Sequence, residues 1–98
     1  MESMSAQIMA RLPGGDLVSA GLSDLARGAQ TAAALLVCVG APKLRRCGII
    51  VPVPAVMDCP ERRLYELLSR ETPDAAHSRY NALIRRLVSF ERAAQCAQ

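Results

Sequence analysis

The residues in this chain best suited to chemistry by type are four cysteines, Cys38, Cys47, Cys59 and Cys96, and one histidine, His77. A structural zinc site takes its ligands in closely spaced pairs, because a short loop between two ligands costs little entropy to close. No two of these cysteines form a Cys-x-x-Cys pair and there is no second histidine, so neither a metal nor any cofactor is expected. Nucleophilic catalysis would have to join His77 to one of the thiols, or to Ser78 or Ser89 with an aspartate. A lone histidine just inside a helix reads instead as a surface or capping residue. The carboxylates Glu61, Glu66 and Glu71 are interleaved with Arg62, Arg63 and Arg70, which suits ion pairing along a helix surface rather than proton transfer. No phosphate-binding loop is present. The chain is expected not to be an enzyme, and no catalytic residue is assigned.

Cations are the remaining candidates. The net charge is +3 and unevenly placed. Residues 1–42 carry two arginines against three acids, a net −1, whereas residues 43–98 carry ten basic and six acidic groups, a net +4. The excess is concentrated in the doublets Arg45-Arg46, Arg62-Arg63 and Arg85-Arg86. Eleven of the twelve basic residues are arginine, whose planar fork pairs bidentately with carboxylate or phosphate. Arg62, Arg63, Arg79, Arg85, Arg86 and Arg92 form the candidate partner-binding set, with an acidic protein surface as the partner. The alternative is a DNA-binding transcriptional regulator that uses Lys43, Arg45 and Arg46 from a helix-turn-helix-like unit over residues 31–47. That unit departs from the pattern in two places: Leu36 stands where a small residue is expected four before the turn glycine Gly40, and Arg46 where an apolar one is expected six beyond it. For single-stranded nucleic acid, Tyr65, Tyr80 and Phe90 are few platforms, and the last two fall on an apolar stripe.

These cations need elements to hold them. Residues 72–98 predict one long amphipathic helix, with Thr72 as N-cap, Pro73 at the first helical position and Asp74 at the positive end of the macrodipole. Ala76, Tyr80, Leu83, Ile84, Leu87, Phe90 and Ala94 recur at steps of three and four and mark its buried face. Arg79 and Arg86 border that stripe, while Arg85 and Arg92 lie opposite it. Upstream, Asp58-Cys59-Pro60-Glu61 offers a capping-box pattern for a helix with Leu64, Leu67 and Leu68 inward and Arg62–Glu66 and Glu66–Arg70 pairs outward.

The N-terminal half predicts a short fraying helix over 1–12, ended by Pro13-Gly14-Gly15. Asp16 then caps a second helix that closes at Gly28, with Gly21 marking a close helix contact. Thr31 caps an all-apolar helix over 32–39, of the kind found at the buried centre of a bundle. Gly40 is expected to stop it and Pro42 to open a further short turn over 43–47. Residues 49–57 alternate β-branched residues with Pro52 and Pro54, which withdraw donors from any ladder. They predict an extended, partly buried connector, with an intermolecular strand as the lesser reading.

Ninety-eight residues make one domain. The fold class is all-α: a compact bundle of four to five helices with one Pro-containing connector and a long C-terminal helix. With one Phe, two Tyr and no Trp, the core is built from Ala, Leu, Val and Ile, and so small a core gains from association. The function read from this is that of a small interaction or regulatory protein that binds another protein or a second copy of itself as a homodimer; nucleic acid is the lesser possibility. The apolar run at 31–39 is too short to span a membrane and the N-terminus lacks the basic region of a signal peptide. Reduced cysteines in such a chain suit the cytoplasm, and the Arg and Ala usage suits a GC-rich bacterial genome. Cys96 is expected to be the exposed thiol.

Overall fold

The computed structural model describes residues 6–52 and 58–97. Among them five helices form: α1 (Ala6–Arg11), α2 (Gly15–Ala26), α3 (Ala32–Arg46), α4 (Pro60–Glu71) and α5 (Ala76–Ala97). No strand forms among the described residues. The all-α bundle expected from the periodicity is what the chain adopts, with extents of 41 × 24 × 19 Å.

α3 is the centre of the bundle because it has no polar face through its first two turns. Ala34, Leu35, Leu36, Val37 and Cys38 are consecutive and all buried, so α2, α4 and α5 can each pack against a different side of it. Thr31 starts this helix as its type suggests, with extended backbone and a side-chain oxygen that accepts from the Ala34 N–H at 3.2 Å. Val18 from α2, Leu64 and Leu68 from α4 and Phe90 from α5 are fully buried around it.

The expected break at Gly40 does not occur. α3 runs through Gly40 and Pro42 to Arg46 as one helix, so the two-helix unit over 31–47 is absent. The reason is energetic. A proline inside a helix costs about 3 kcal/mol, but the turn beyond it carries Ala41, Leu44 and Cys47 into the core. Leu44 alone returns about 1.5–3 kcal/mol by burial. Pro42 itself is exposed, which leaves its ring in solvent. Gly40 is not a stop but a contact: a Cβ there would stand 2.9 Å from Leu87 Cδ1 and 3.0 Å from Glu91 Oε2 of α5.

Gly21 is a close approach of the kind expected. A Cβ on it would lie 2.3 Å from the Ala33 carbonyl oxygen and 2.5 Å from Val37 Cγ2, so α2 and α3 meet backbone to backbone. Three caps differ from expectation. α2 starts at Gly15 with left-handed Gly14 (φ 73°) at the cap, which puts Asp16 in the first turn. α4 is entered through Cys59, at φ 50° and ψ 59°, with Pro60 at the first helical position and no side-chain cap; Pro60 disfavours right-handed helix for the residue before it, so Asp58 cannot cap. Thr72 ends α4 rather than starting α5, because its hydroxyl donates back to the Leu68 carbonyl at 3.3 Å. A turn at 73–75 intervenes before α5 begins at Ala76.

α5 keeps the stripe that the sequence marks. Ala76, Leu87, Phe90 and Ala94 are buried, and Tyr80, Leu83 and Ile84 pack against them partly buried. Of the expected connector, residues 49–52 are described and carry no regular structure. Ile49 and Val51 are buried while Ile50 between them is exposed, an alternation proper to extended chain. Residues 53–57 lie outside the described residues, as do 1–5 and 98. No helix among the described residues is long and apolar enough to cross a membrane.

Candidate functional site

The folding of the chain sorts its charges. α2 carries Asp16 and Asp24 and no base, and α4 balances three arginines against three glutamates. α3 contributes Lys43, Arg45 and Arg46 and no acid; α5 contributes Arg79, Arg85, Arg86 and Arg92 and one acid, Glu91. These two helices therefore hold seven cations to one carboxylate, and that carboxylate is buried at 5% exposure. The exposed charge of α3 and α5 is of one sign.

The six arginines singled out by sequence do not act alike. Arg86 Nη2 donates to Asp16 Oδ1 of α2 at 2.9 Å. This guanidinium, with the Leu17 N–H, holds the Asp16 carboxyl below the usual carboxylate range. Arg79 Nη1 donates to Glu71 Oε1 at 3.3 Å and to Thr72 Oγ1 at 3.0 Å, which fastens the end of α4 to the start of α5. Arg63 Nε donates to the Asp58 carbonyl at 3.2 Å. These three arginines are engaged within the fold. Arg85 and Arg92 are exposed and stand seven residues apart, hence on one side of α5. Neither has an ion-pair or hydrogen-bond partner among the described residues.

Arg62 and Arg63 line a hollow of about 430 Å³ beside the start of α4, together with Asp58, Cys59 and Glu66. Two cations face two carboxylates there, so the hollow has no charge preference. The Arg62–Glu66 and Glu66–Arg70 ion pairs expected on α4 do not form among the described residues.

Lys43, Arg45 and Arg46 occupy the last turn of α3, where the negative end of the macrodipole favours cations. Lys43 and Arg46 act on Glu91 across the α3–α5 contact, which places this turn against the C-terminal half of α5. The end of α3, with the one candidate set, is thus brought beside the stretch of α5 that carries Arg92 of the other. Asp24 of α2 accepts from the Thr31 hydroxyl at 2.6 Å and pairs with Arg27, and both interactions lower its pKa, the hydroxyl first.

The burial of Glu91 and the left-handed backbone of Cys59 were not foreseen from the sequence. Glu91 follows Phe90 and stands four after Leu87, so its position on the apolar stripe was a usable signal. Left-handed Cys59 had only the following Pro60 as a sign. Cys38 and Cys47 are buried and Cys59 and Cys96 exposed; burial pushes the Cys38 and Cys47 thiols up, and Glu91 pushes Cys47 up further. Asn81 Nδ2 donates to His77 Nε2 at 3.2 Å on the exposed side of α5. Among the described residues no group of three or more His, Cys, Asp or Glu is placed to hold a metal ion.

No protein-family model matches this chain, and neither curated proteins nor solved structures yield a match. Its functional reading rests on its own geometry.

Proposed function

We propose that this protein is a small interaction module that acts by binding rather than by catalysis, and that it takes an acidic protein surface on the cationic side formed by α3 and α5. The observation that carries this reading is the seven-to-one excess of cations on those helices with the single acid buried. Such a surface steers an acidic partner and sets its register more than it supplies raw affinity. Arg85 and Arg92 lead the contact because they have no partner among the described residues, and Lys43, Arg45 and Arg46 extend it. Arg62 and Arg63 flank it on α4, and Arg79 and Arg86 serve chiefly to hold α5 in place. A regulatory role in a bacterial cytoplasm, with self-association as a second mode, goes with this proposal.

A nucleic acid would claim the same cations through phosphate. Two observations favour protein. The residues proposed to read DNA sit on the last turn of one continuous helix rather than on a separate recognition helix. Aromatic platforms are also few: Phe90 is buried, and of Tyr65 and Tyr80, which meet edge to face at 5.6 Å, only Tyr65 is exposed.

The test is fluorescence anisotropy with two labelled probes, a polyglutamate peptide and a duplex DNA, each at low and at physiological salt. The proposal expects saturable peptide binding that weakens with salt, and duplex binding no tighter than the peptide. Binding of duplex alone would replace it with the nucleic-acid reading. No binding of either probe would remove the electrostatic reading altogether.

A further inference from the structure

Glu91 is 5% exposed, and its carboxylate makes no hydrogen bond and no ion pair among the described residues. It lies between α5 and α3 where Gly40 lets the helices come close, with Oε2 3.0 Å from where a Gly40 Cβ would be. Lys43, Arg46 and Cys47, all at the end of α3, are the titratable groups that interact with it; no charge from α1, α2 or α4 acts on it. With no donor and only a narrow contact with solvent, an ionised carboxylate in that place is poorly hydrated, whereas the neutral acid suits an apolar contact.

We propose that Glu91 is a proton-operated latch between α3 and α5, closed when its carboxyl is neutral and loosened when it ionises. The latch joins the two helices that carry the cationic surface, so opening it moves Lys43 and Arg46 relative to Arg85 and Arg92. Burial raises the Glu91 pKa above its ordinary 4.5, while Lys43 and Arg46 oppose the rise without reversing it. The sign follows. A group whose folded-state pKa is raised contributes stability in full below its unfolded value and loses it as pH rises through the folded one. The α3–α5 contact is therefore tightest in mild acid and weakens toward neutral and alkaline pH.

The experiment compares the full chain with Glu91→Gln, a neutral side chain of nearly the same shape, by thermal melting at about pH 4.5 and about pH 8. The expected result is near-equal melting temperatures in acid, and at pH 8 a variant that melts higher by about 4 °C or more. Amide hydrogen exchange at pH 8 should be slower in the variant along residues 40–44 and 87–94, where comparison at one pH cancels the intrinsic chemistry. A melting difference that does not change with pH would overturn the latch. If Glu91→Gln fails to fold, carboxyl NMR titration of the unaltered protein decides: a Glu91 midpoint above 4.5 upholds the proposal, and one at or below it overturns it.

Discussion

Arg86 of α5 reaches across the bundle to Asp16 of α2, with Nη2 2.9 Å from Oδ1 across 70 residues of sequence. The same stretch of α5 passes the turn before α2 so closely that a Cβ on Gly14 would meet the Arg86 carbonyl oxygen at 2.7 Å. The pair shows how the fold divides its arginines. Those that border the apolar stripe, Arg79 and Arg86, are drawn into ion pairs that join elements; those opposite it, Arg85 and Arg92, are left facing outward.

Acid should weaken the fold through Asp16 and Asp24. Both have folded-state pKa values below the ordinary 3.8, so their contribution is present above that value and lost as pH falls below it. Melting temperature should drop between about pH 5 and pH 2.5. The double variant Asp16→Asn/Asp24→Asn should lower it at pH 5 but flatten the acid limb. An acid limb as steep as that of the unaltered chain would assign the loss to other groups. Asp16 is exposed and Asp24 partly buried, so added salt should shrink the effect, and most at Asp16.

Gly21→Ala should destabilise the protein although alanine is the better helix former. The gain in propensity is about 1 kcal/mol. Against it, the new Cβ would stand 2.3 Å from a backbone oxygen of α3, which cannot rotate away, and overpacking of this kind costs about 1–3 kcal/mol. The expected net loss is about 1 kcal/mol, seen as a fall of about 4–8 °C in melting temperature. Ser23→Ala, on the exposed side of the same helix, should leave it unchanged or raise it. A Gly21→Ala protein as stable as the unaltered one would mean that α2 and α3 do not approach this closely.

Thiol labelling should divide the cysteines by burial. Cys59 and Cys96 should react promptly with an aromatic disulfide reagent in native buffer. Cys38 and Cys47, buried and with their pKa values pushed up, should react only as fast as the fold opens. Mass spectrometry after a short pulse identifies the labelled pair. Prompt labelling of Cys38 would contradict the placement of α3 at the centre.

The architecture was legible wherever a signal had one physical meaning. An all-apolar run at 32–39 could only be a centre, and steps of three and four over 76–94 could only be a buried stripe. Gly40, Pro42 and Thr72 misled because each has two meanings. A glycine ends a helix or lets another come close, and only Leu87 and Glu91 on α5 decide that Gly40 does the second. Thr72 can cap forward or bond backward, and the backbone of α4 takes it. The candidate site was legible as a list of cations but not as a surface. Pairing across the bundle, which removes Arg79 and Arg86 and spares Arg85 and Arg92, depends on contacts at long sequence separation.

The central claim is that the outward cations of α5 carry the binding. The most direct measurement is the affinity of labelled polyglutamate for the chain, for Arg85→Glu/Arg92→Glu, and for the charge-matched control Arg11→Glu/Arg70→Glu, whose residues are exposed on α1 and α4. All three should melt alike. A loss of about tenfold or more is expected for the α5 variant and a much smaller loss for the control. Equal losses in the two variants would show that net charge alone attracts the probe, and would contradict the claim.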